Sequence, residues 1–370
     1  MVETDFAVIG GGLVGMAIAY GLQRQGWQVT VFDEGDVAFR ASRGNFGLVW
    51  VQGKGAEMPD YVHWTRWSAR LWPELADELQ RETGVDVELT QPGGFDICLS
   101  EPELADRSAR LERLSEALGG DYPFETLDHS RLREKIPAIG PSVAGATYFP
   151  EDGHLNPLFL LRALLGAFQA KGGRIENGAP VVRLEPRNGG FRIDAEGSWD
   201  AANVVLTAGL GNAKLGPLVG LDAPVKPNRG QVLICERVKP FLEYPTAQIR
   251  QIATGGVQIG DSKEDVGLDD GTSPEVVAGI AKRATRIFPL LENVRVVRSW
   301  GALRIMSPDG HPVYDQSSDC PGAYLVTCHS GVTLAAVHAL VLARWIAGAN
   351  PSIPYLETFS AKRFHLPSAA

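Results

Sequence analysis

The sequence predicts an α/β fold whose N-terminal segment is a nucleotide-binding unit. Residues 2–35 contain an apolar strand-like run, a glycine-rich turn, a helical stretch, a second apolar run and an acid, in that order. The strands are predicted at 7–9 and 29–32, and the helix between them at 16–25. This order of elements is typical of the unit that binds the diphosphate of a dinucleotide.

Three glycines in GxGxxG spacing join the first strand to the helix, and they are Gly10, Gly12 and Gly15. The first permits a tight turn, the second lets backbone N–H groups approach a pyrophosphate, and the third lets the helix pack on the strand. Asp33 follows Gly15 by 18 residues, where a carboxylate accepts the hydroxyls of a ribose. Glu34 is the alternative ribose ligand. A dinucleotide cofactor is therefore predicted.

Composition excludes several classes of protein. The 370 residues are 44% hydrophobic and 21% charged, which suffices for a large core divided between two lobes. There are 35 lysines and arginines against 44 aspartates and glutamates, so the formal net charge is −9. This charge disfavours a nucleic-acid partner, which would require a basic face.

Targeting signals and metal motifs are not expected. Residues 1–5 are acidic and lead directly into a strand, which argues against a secretory signal. The longest apolar helical stretch, 333–346, is too short for a transmembrane segment. The four cysteines have no CxxC spacing and the seven histidines no HExxH spacing, so we expect no metal, iron–sulfur cluster or disulfide framework. A reducing cytoplasm fits best.

The rest of the chain predicts two interleaved domains. Short alternating runs in 88–100 and 230–259 indicate strands of a second, antiparallel sheet, and helices at 102–118 and 274–287 accompany them. A helix at 157–171 and a strand at 203–206 return to the first fold. The predicted cofactor-binding domain comprises residues 1–85, 145–220 and 300–370, and the predicted substrate domain comprises residues 86–144 and 221–299.

A small and polar loop, residues 41–47, follows the predicted ribose acid. It could be a plain surface connection. We favour a segment laid along the cofactor, because loops of this kind, on a rigid scaffold, commonly carry binding residues.

Six motifs in order along the chain resemble the D-amino-acid oxidase superfamily of FAD-dependent amine oxidoreductases, over nearly the full length. They are the glycine turn with Asp33, the loop that contains Ser42, and the residues 207–209, 300–304, 308–312 and 328–333. Residues 41–55 and 328–338 are most similar to the flavin (beta) subunits of opine dehydrogenases, which include octopine and nopaline oxidases, and of D-hydroxyproline dehydrogenase.

The resemblance implies a glutathione-reductase-like FAD-binding Rossmann domain interleaved with a mixed-sheet α+β substrate domain. It assigns the pyrophosphate to the three glycines, the ribose to Asp33, and the remaining cofactor contacts to Ser42, Arg43, Val182, Gly209, Gly331, Val332 and Thr333. In the last three, backbone N–H groups at a helix start would face the flavin N1/C2=O edge, where negative charge grows on reduction. No cysteine or histidine stands in a recognisable attachment context, so we expect FAD to be non-covalent.

Three residues are candidates for catalysis or substrate binding. Arg304 is the first candidate for gripping a substrate carboxylate, because guanidinium offers a planar bidentate fork. Its structural alternative is an arginine that closes onto Asp309. Arg250 is the second candidate, against an ordinary surface salt bridge. His329 could lie over the flavin or polarise a substrate, and a satisfied core histidine is the alternative.

The resemblance implies oxidation of an amino-acid-derived amine, with hydride transfer to flavin N5 and hydrolysis of the imine. Three functions remain open: a dehydrogenase of an opine or D-hydroxyproline-type substrate, a stand-alone glycine or D-amino-acid oxidase that makes peroxide, and a non-catalytic FAD-binding subunit. Related multimeric enzymes carry cysteine-rich subunits. Any iron–sulfur electron route must therefore come from a separate partner chain in a hetero-oligomer.

Overall fold

The computed structural model describes residues 3–35, 41–349 and 352–365. Its α-helices are α1 (Leu13–Gln23), α2 (Pro59–Thr83), α3 (Glu101–Ala117), α4 (His129–Lys135), α5 (Pro157–Ala170), α6 (Asn212–Leu215), α7 (Pro274–Ile287), α8 (Gly331–Val337) and α9 (Ala343–Ile346). The strands are β1 (Thr4–Ile9), β2 (Val29–Asp33), β3 (Leu48–Val49), β4 (Gly94–Cys98), β5 (Glu125–Asp128), β6 (Gly145–Phe149), β7 (Gly153–His154), β8 (Arg174–Asn177), β9 (Arg183–Arg187), β10 (Gly190–Ala195), β11 (Gly197–Leu206), β12 (Lys226–Arg237), β13 (Ile249–Gln251), β14 (Gly256–Ile259), β15 (Val296–Met306), β16 (Val313–Gln316) and β17 (Ala323–Thr327).

The largest sheet is a mostly parallel one of eight strands, in which the order β16-β17-β11-β1-β2-β8 forms the main path. Strand β1 lies between β2 and β11 and pairs with both in parallel. Its core residues are apolar because both faces of the sheet are covered, as parallel sheets require. The predicted strand, turn, helix and strand at the N-terminus is therefore confirmed as a βαβ unit.

Helices α1, α2, α5 and α8 pack on one face of this sheet in one apolar cluster. The long helix α2 contributes Trp64 and Trp72 to this cluster, and both side chains are fully buried. Trp72 Nε1 also donates to the carbonyl oxygen of Thr333 at 3.0 Å, which fixes α2 to the first turn of α8. Helix α8 continues through a π-helical segment, His338–Leu342, into α9. None of the described helices has the length and apolar character needed to cross a membrane.

The second part of the fold contains an antiparallel four-stranded sheet, β13-β14-β12-β15, and a three-stranded sheet, β4-β6-β5. Side chains alternate between the two faces of a strand. Leu233, Val257 and Ile259 lie on one face of the four-stranded sheet and pack with Ile280 and Ile287 of α7. The opposite face carries Arg250, Gln258 and Arg304 and is turned toward the loop 41–47.

Two of the boundaries proposed from the sequence differ from the strand pairing. Strand β6 pairs with β4 and β5, although residues 145–149 were allotted to the cofactor-binding domain. Strand β15 pairs along its length with β12, so it crosses the proposed boundary between 299 and 300. Strand β6 lies in the three-stranded sheet and β15 in the four-stranded sheet, and pairing between distant segments leaves no trace in the local sequence.

Candidate active site

The glycine turn after β1 is too tight for side chains. Gly10 has φ +107°, and a Cβ atom added to it would lie 2.7 Å from the carbonyl oxygen of Thr207. A Cβ at Gly15 would lie 1.9 Å from the carbonyl oxygen of Gly10, so α1 packs directly on the turn. At Gly12 the added atom would be 2.9 Å from Ser42 Oγ, in the space before the first turn of α1.

The carboxylate of Asp33 is fixed beside this turn. Its Oδ2 atom accepts a hydrogen bond from the Gly11 N–H at 2.7 Å, and its Oδ1 atom accepts from the Gly35 N–H at 2.9 Å. Glu34 is exposed. Of the two acids considered for the ribose, Asp33 is therefore the one that lies against the glycine turn.

The loop 41–47 connects the start of α1 to the second sheet. Ser42 Oγ accepts a hydrogen bond from the Leu13 N–H at 2.9 Å, and this supplies a cap that Gly12 cannot provide itself. Arg43 is exposed. Trp300 Nε1 on β15 donates to the Gly44 carbonyl at 3.1 Å. The loop 41–47 therefore lies between the start of α1 and strand β15. That it follows the cofactor stays a prediction.

Val182 lies in the loop between β8 and β9, and Gly209 lies in the turn after β11. The loop that leads to Val182 follows β8, and its Ala179 N–H donates to the Asp33 carbonyl at 2.9 Å. Val182 is 74% exposed, and its N–H donates to the Asp194 carbonyl at 2.9 Å. Gly209 has φ +58°, and a Cβ atom there would lie 3.4 Å from Ile305, next to Arg304.

A second helix start, at Gly331, Val332 and Thr333, lies next to the first. A Cβ atom added to Gly331 would be 3.4 Å from Val14 of α1. Thr333 Oγ1 accepts from the Trp50 N–H at 3.1 Å and donates to the Leu48 carbonyl at 3.3 Å. The structure therefore brings the two glycine turns and the segment around β3 together, although the turns are about 320 positions apart in the sequence.

Arg304 lies on β15, on the polar face of the four-stranded sheet. Its Nη1 atom donates to Asn228 Oδ1 at 3.1 Å and to the Ser262 carbonyl at 2.9 Å, and its Nη2 atom forms an ion pair with Asp261. The alternative considered for Arg304, closure onto Asp309, is wrong, because Asp309 pairs with Arg363 instead. Strand pairing decides this choice, since it places Arg304 opposite Asn228 and beside the turn after β14.

His329 lies in the turn before α8, and its side chain is exposed. Desolvation by the surrounding protein lowers the pKa of His329 to about 3, and the charges of Lys54, Arg304 and Lys263 act in the same direction. The imidazole is therefore neutral at pH 7. Its Nδ1 atom lies 3.3 Å from Ser330 Oγ. His329 is thus not the buried core histidine considered as its alternative.

Arg250 is buried on the same face of the sheet as Arg304 but at the other end. Its Nε atom donates to Gln258 Oε1 at 2.9 Å and its Nη1 atom to the Leu155 carbonyl at 2.8 Å. Following the strand pairing across the sheet, Arg250 is level with Arg298 of β15, and Arg298 is six residues before Arg304. Three strand spacings and six residues separate the two backbones by about 14 Å across and about 20 Å along the sheet. The structure therefore does not bring the two arginines together.

A cavity of about 410 Å³ opens beside Arg250. Glu88 and Glu243 line it together with His154. With Asp86, the lining contains three acids, which disfavour a carboxylate ligand there. Burial lowers the pKa of Arg250 to about 10, in spite of the charge of Glu88.

Sequence reasoning missed Lys54 and Tyr61. Lys54 Nζ donates to Ser330 Oγ at 2.8 Å and to Thr333 Oγ1 at 3.2 Å, and Tyr61 OH donates to Ser330 Oγ at 3.1 Å. Burial lowers the pKa of Lys54 to about 8, against the opposing charge of Asp152. The available signal was a lysine between two glycines, Gly53 and Gly55, within the segment 41–55 that resembles the flavin subunits.

Asp152 holds the backbone that leads to Lys54. It is fully buried, and its Oδ1 atom accepts from the N–H groups of Val51 at 2.5 Å and Gln52 at 3.1 Å. Burial raises the pKa of Asp152 to about 7. Among the residues that the structure describes, no group of three or more His, Cys, Asp or Glu side chains is arranged to hold a metal ion.

Comparison with known proteins agrees with this geometry. Residues 5–345 match the family model described as FAD dependent oxidoreductase, DAO. The chain belongs to the DAO family of FAD-dependent oxidoreductases. It is 45% identical over 371 residues, with full coverage of both chains, to a subunit of the opine oxidase from Agrobacterium tumefaciens. It is 43% identical, over 98% of each chain, to the corresponding protein from Rhizobium meliloti.

The fold of this FAD-dependent oxidoreductase is also that of a solved amine oxidase. The crystal structure of glycine oxidase from Geobacillus kaustophilus superimposes with a TM-score of 0.88 at 25% sequence identity and covers 97% of this chain and 98% of that one. The mixed α/β fold with an FAD-binding domain is thereby confirmed, and FAD is the cofactor. The glycine turn, which a single Cβ atom would fill, fits the pyrophosphate of FAD.

Proposed function

We propose that the protein is an FAD-dependent dehydrogenase that oxidises the C–N bond of an amino-acid-derived secondary or primary amine of the opine or D-hydroxyproline type. One observation carries this proposal: Arg304 projects from the sheet face that meets the loop 41–47, beside the neutral imidazole of His329. A guanidinium at this point can hold a carboxylate next to the flavin-end turn at Gly331.

In this proposal FAD is held without a covalent bond by residues from all three segments of its domain. Gly10, Gly12 and Gly15 take the pyrophosphate, Asp33 the ribose, and Ser42 and Arg43 the phosphate and ribityl region. Val182 covers the adenine, Gly209 lines the groove, and Gly331, Val332 and Thr333 present N–H groups to the flavin. The Cys328 thiol is no attachment point, because burial raises its pKa to about 12 and keeps it protonated.

Bound FAD supplies the hydride acceptor, its N5 atom. The chain supplies orientation: Arg304 exchanges Asp261 for the substrate carboxylate and so aligns the C–H bond. The amine must be neutral to react, and the cations Lys54 and Arg304 near His329 disfavour an ammonium there. The imine product is then hydrolysed by water.

A second proposal concerns a partner chain that accepts the electrons. The relatives at 45% and 43% identity are named subunits of opine oxidases, which supports a hetero-oligomer. We propose that electrons leave through a separate partner chain that holds an iron–sulfur cluster or another carrier. A reducing cytoplasm remains our expectation for the compartment, because all four cysteines are free.

The fold match to glycine oxidase favours one second candidate, a stand-alone glycine or D-amino-acid oxidase. A panel of opines, D-hydroxyproline, glycine and D-amino acids with an artificial electron acceptor distinguishes the two. We expect anaerobic bleaching of the flavin and turnover with an opine or cyclic imino acid, with little peroxide in air. Rapid peroxide formation with glycine or a D-amino acid would favour the oxidase, and no bleaching with any amine would favour a non-catalytic subunit.

Acid precipitation tests the mode of FAD binding separately. The yellow flavin should pass into the supernatant. Flavin that stays with the protein pellet would contradict non-covalent binding.

A further inference from the structure

Lys54 is a partly buried lysine whose ammonium has only hydroxyl partners. Its two hydrogen bonds go to Ser330 and Thr333, at 2.8 Å and 3.2 Å from Nζ. In the part of the chain that the structure describes, no carboxylate forms an ion pair with it. A desolvated cation that is bonded only to neutral groups is costly unless an anion completes its surroundings.

The nearest acid already has other partners. Asp152 accepts hydrogen bonds from Val51, from Gln52 N–H and, at 3.3 Å, from the Gln52 side chain. These bonds clamp the backbone two residues before Lys54 and direct the chain toward Ser330. Asp152 therefore positions the lysine without a direct ion pair, although its charge raises the pKa of Lys54.

The two hydroxyls that bind Lys54 flank a short stretch of backbone. Ser330 precedes Gly331 and Val332, and Thr333 follows them. This is the stretch that we propose faces the N1/C2=O edge of the flavin, so the present inference rests on that part of the proposed function. Tyr61 OH donates to the same Ser330 oxygen and occupies a further acceptor position on it. The serine proton is then directed to His329 Nδ1, which agrees with a neutral imidazole.

We propose that the Lys54 ammonium is a catalytic group of this enzyme, which stabilises the negative charge that develops at the pyrimidine end of the flavin on reduction. It reaches this position from the N-terminal segment, whereas Ser330 and Thr333 hold it from the C-terminal segment. A fixed cation next to developing charge is the general means by which sites favour a charged product. The cation also favours any other anionic state of the same flavin edge.

Sulfite tests the proposal without an amine substrate, because its adduct with oxidised flavin places negative charge on the same N1/C2=O edge. Lys54→Met should weaken sulfite binding to the purified holoenzyme at least about tenfold, which is about 1.4 kcal/mol. For a two-electron couple the same change lowers the flavin potential by about 30 mV. Lys54→Arg should keep sulfite affinity within about threefold of wild type, because it retains the charge.

Lys263→Met is the matched control. Lys263 also lowers the pKa of His329 by its charge, but it is exposed and has no hydrogen bond to Ser330 or Thr333 among the described contacts. Sulfite affinity should change less than about twofold in this variant. Lys54→Gln is a second neutral variant, for use if the methionine variant does not fold, and FAD content and thermal unfolding of each variant verify its integrity.

Unchanged sulfite affinity and potential in folded Lys54→Met would overturn the proposal. If the KM for a carboxylate substrate rises at the same time, Lys54 binds the substrate carboxylate and not the flavin edge. An equal loss of sulfite affinity in Lys263→Met would also overturn it, because the effect would then be one of net charge. Absence of amine turnover in the wild type would contradict the proposed function but leave the sulfite result valid.

Discussion

Arg304 and Arg250 lie on the same face of one sheet, yet their surroundings differ. Arg304 is paired with Asp261, whose side chain is 37% exposed, and its charge lowers the pKa of His329. Arg250 is 4% exposed and bonds to a glutamine side chain and a backbone carbonyl. One guanidinium therefore has a partner that an incoming carboxylate can replace, and the other has partners that belong to the fold.

The different partners of Arg304 and Arg250 indicate different roles for the two arginines. Arg250 holds the segment 46–47 against residues 154 and 155: its ring contact is Phe46, 5.9 Å from the guanidinium, and a Cβ on Gly47 would lie 2.8 Å from its Nη2 atom. We infer that Arg250 is a positioning residue for the loop 41–47 and that Arg304 is the substrate ligand. The following experiments test whether the two arginines have these different roles.

The largest effect is expected for Arg250→Met. The substitution leaves buried acceptors on Gln258 and Leu155 without a donor, so the free energy of unfolding should fall by about 3 kcal/mol. Denaturant unfolding measures this loss. Arg295→Met is the control, because that side chain is 86% exposed, and its effect should stay within about 0.5 kcal/mol. A stable Arg250→Met protein with a greatly reduced kcat/KM would reverse our assignment.

The second largest effect is expected in the pH dependence of the free energy of unfolding. Burial and the charge of Arg250 lower the pKa of His154 to about 3. Between pH 6.5 and 3 the unfolded chain binds a proton that the folded chain excludes, so the stability contributed by neutral His154 is lost as pH falls. Between about pH 7 and pH 5, the free energy of unfolding should fall by about 2 kcal/mol less in His154→Gln than in wild type. Parallel stability curves for variant and wild type over this range would show that His154 is not held neutral.

Arg304→Lys tests the other arginine. An ammonium keeps the charge but cannot form two parallel hydrogen bonds to a carboxylate, so kcat/KM should fall at least about tenfold, or about 1.4 kcal/mol. FAD content and unfolding should match wild type. The substrate should be compared with its carboxylate amide. If the lysine variant oxidises the acid normally, or if wild type accepts the amide equally well, Arg304 does not grip a carboxylate.

The smallest effect is expected for Asp261→Asn. This change removes the acid that competes with the substrate for Arg304, and partly exposed pairs contribute at most about 1 kcal/mol. KM for carboxylate substrates should therefore fall about two- to threefold. Asp309→Asn is the matched control with no expected change in KM, since Asp309 pairs with Arg363. An increase in KM for Asp261→Asn would indicate that the aspartate orients Arg304 and does not compete for it.

The sequence by itself determined the nucleotide-binding unit and the fold class. The glycine spacing, the helix and Asp33 are contained in about 30 contiguous residues, and each requirement is local: a tight turn, a helix start and an acid at a strand end. Helix α7 also begins and ends at the predicted residues, because Pro274 and the apolar periodicity mark it. The family resemblance supplied Ser42, Val182 and Gly331, whose roles local patterns alone do not fix.

Tertiary structure decided which side chains meet in the cleft. Arg304 pairs with Asp261, 43 positions away, and not with the nearer Asp309, because β12, β14 and β15 set the pairing register. Lys54 meets Ser330 only because α2 and the loop before it pack on α8, 276 positions later. Local sequence specifies backbone geometry through short-range sterics and periodicity. The partners and the charge environment of a side chain depend on strand register and helix packing between distant segments, and these appear only in the folded molecule.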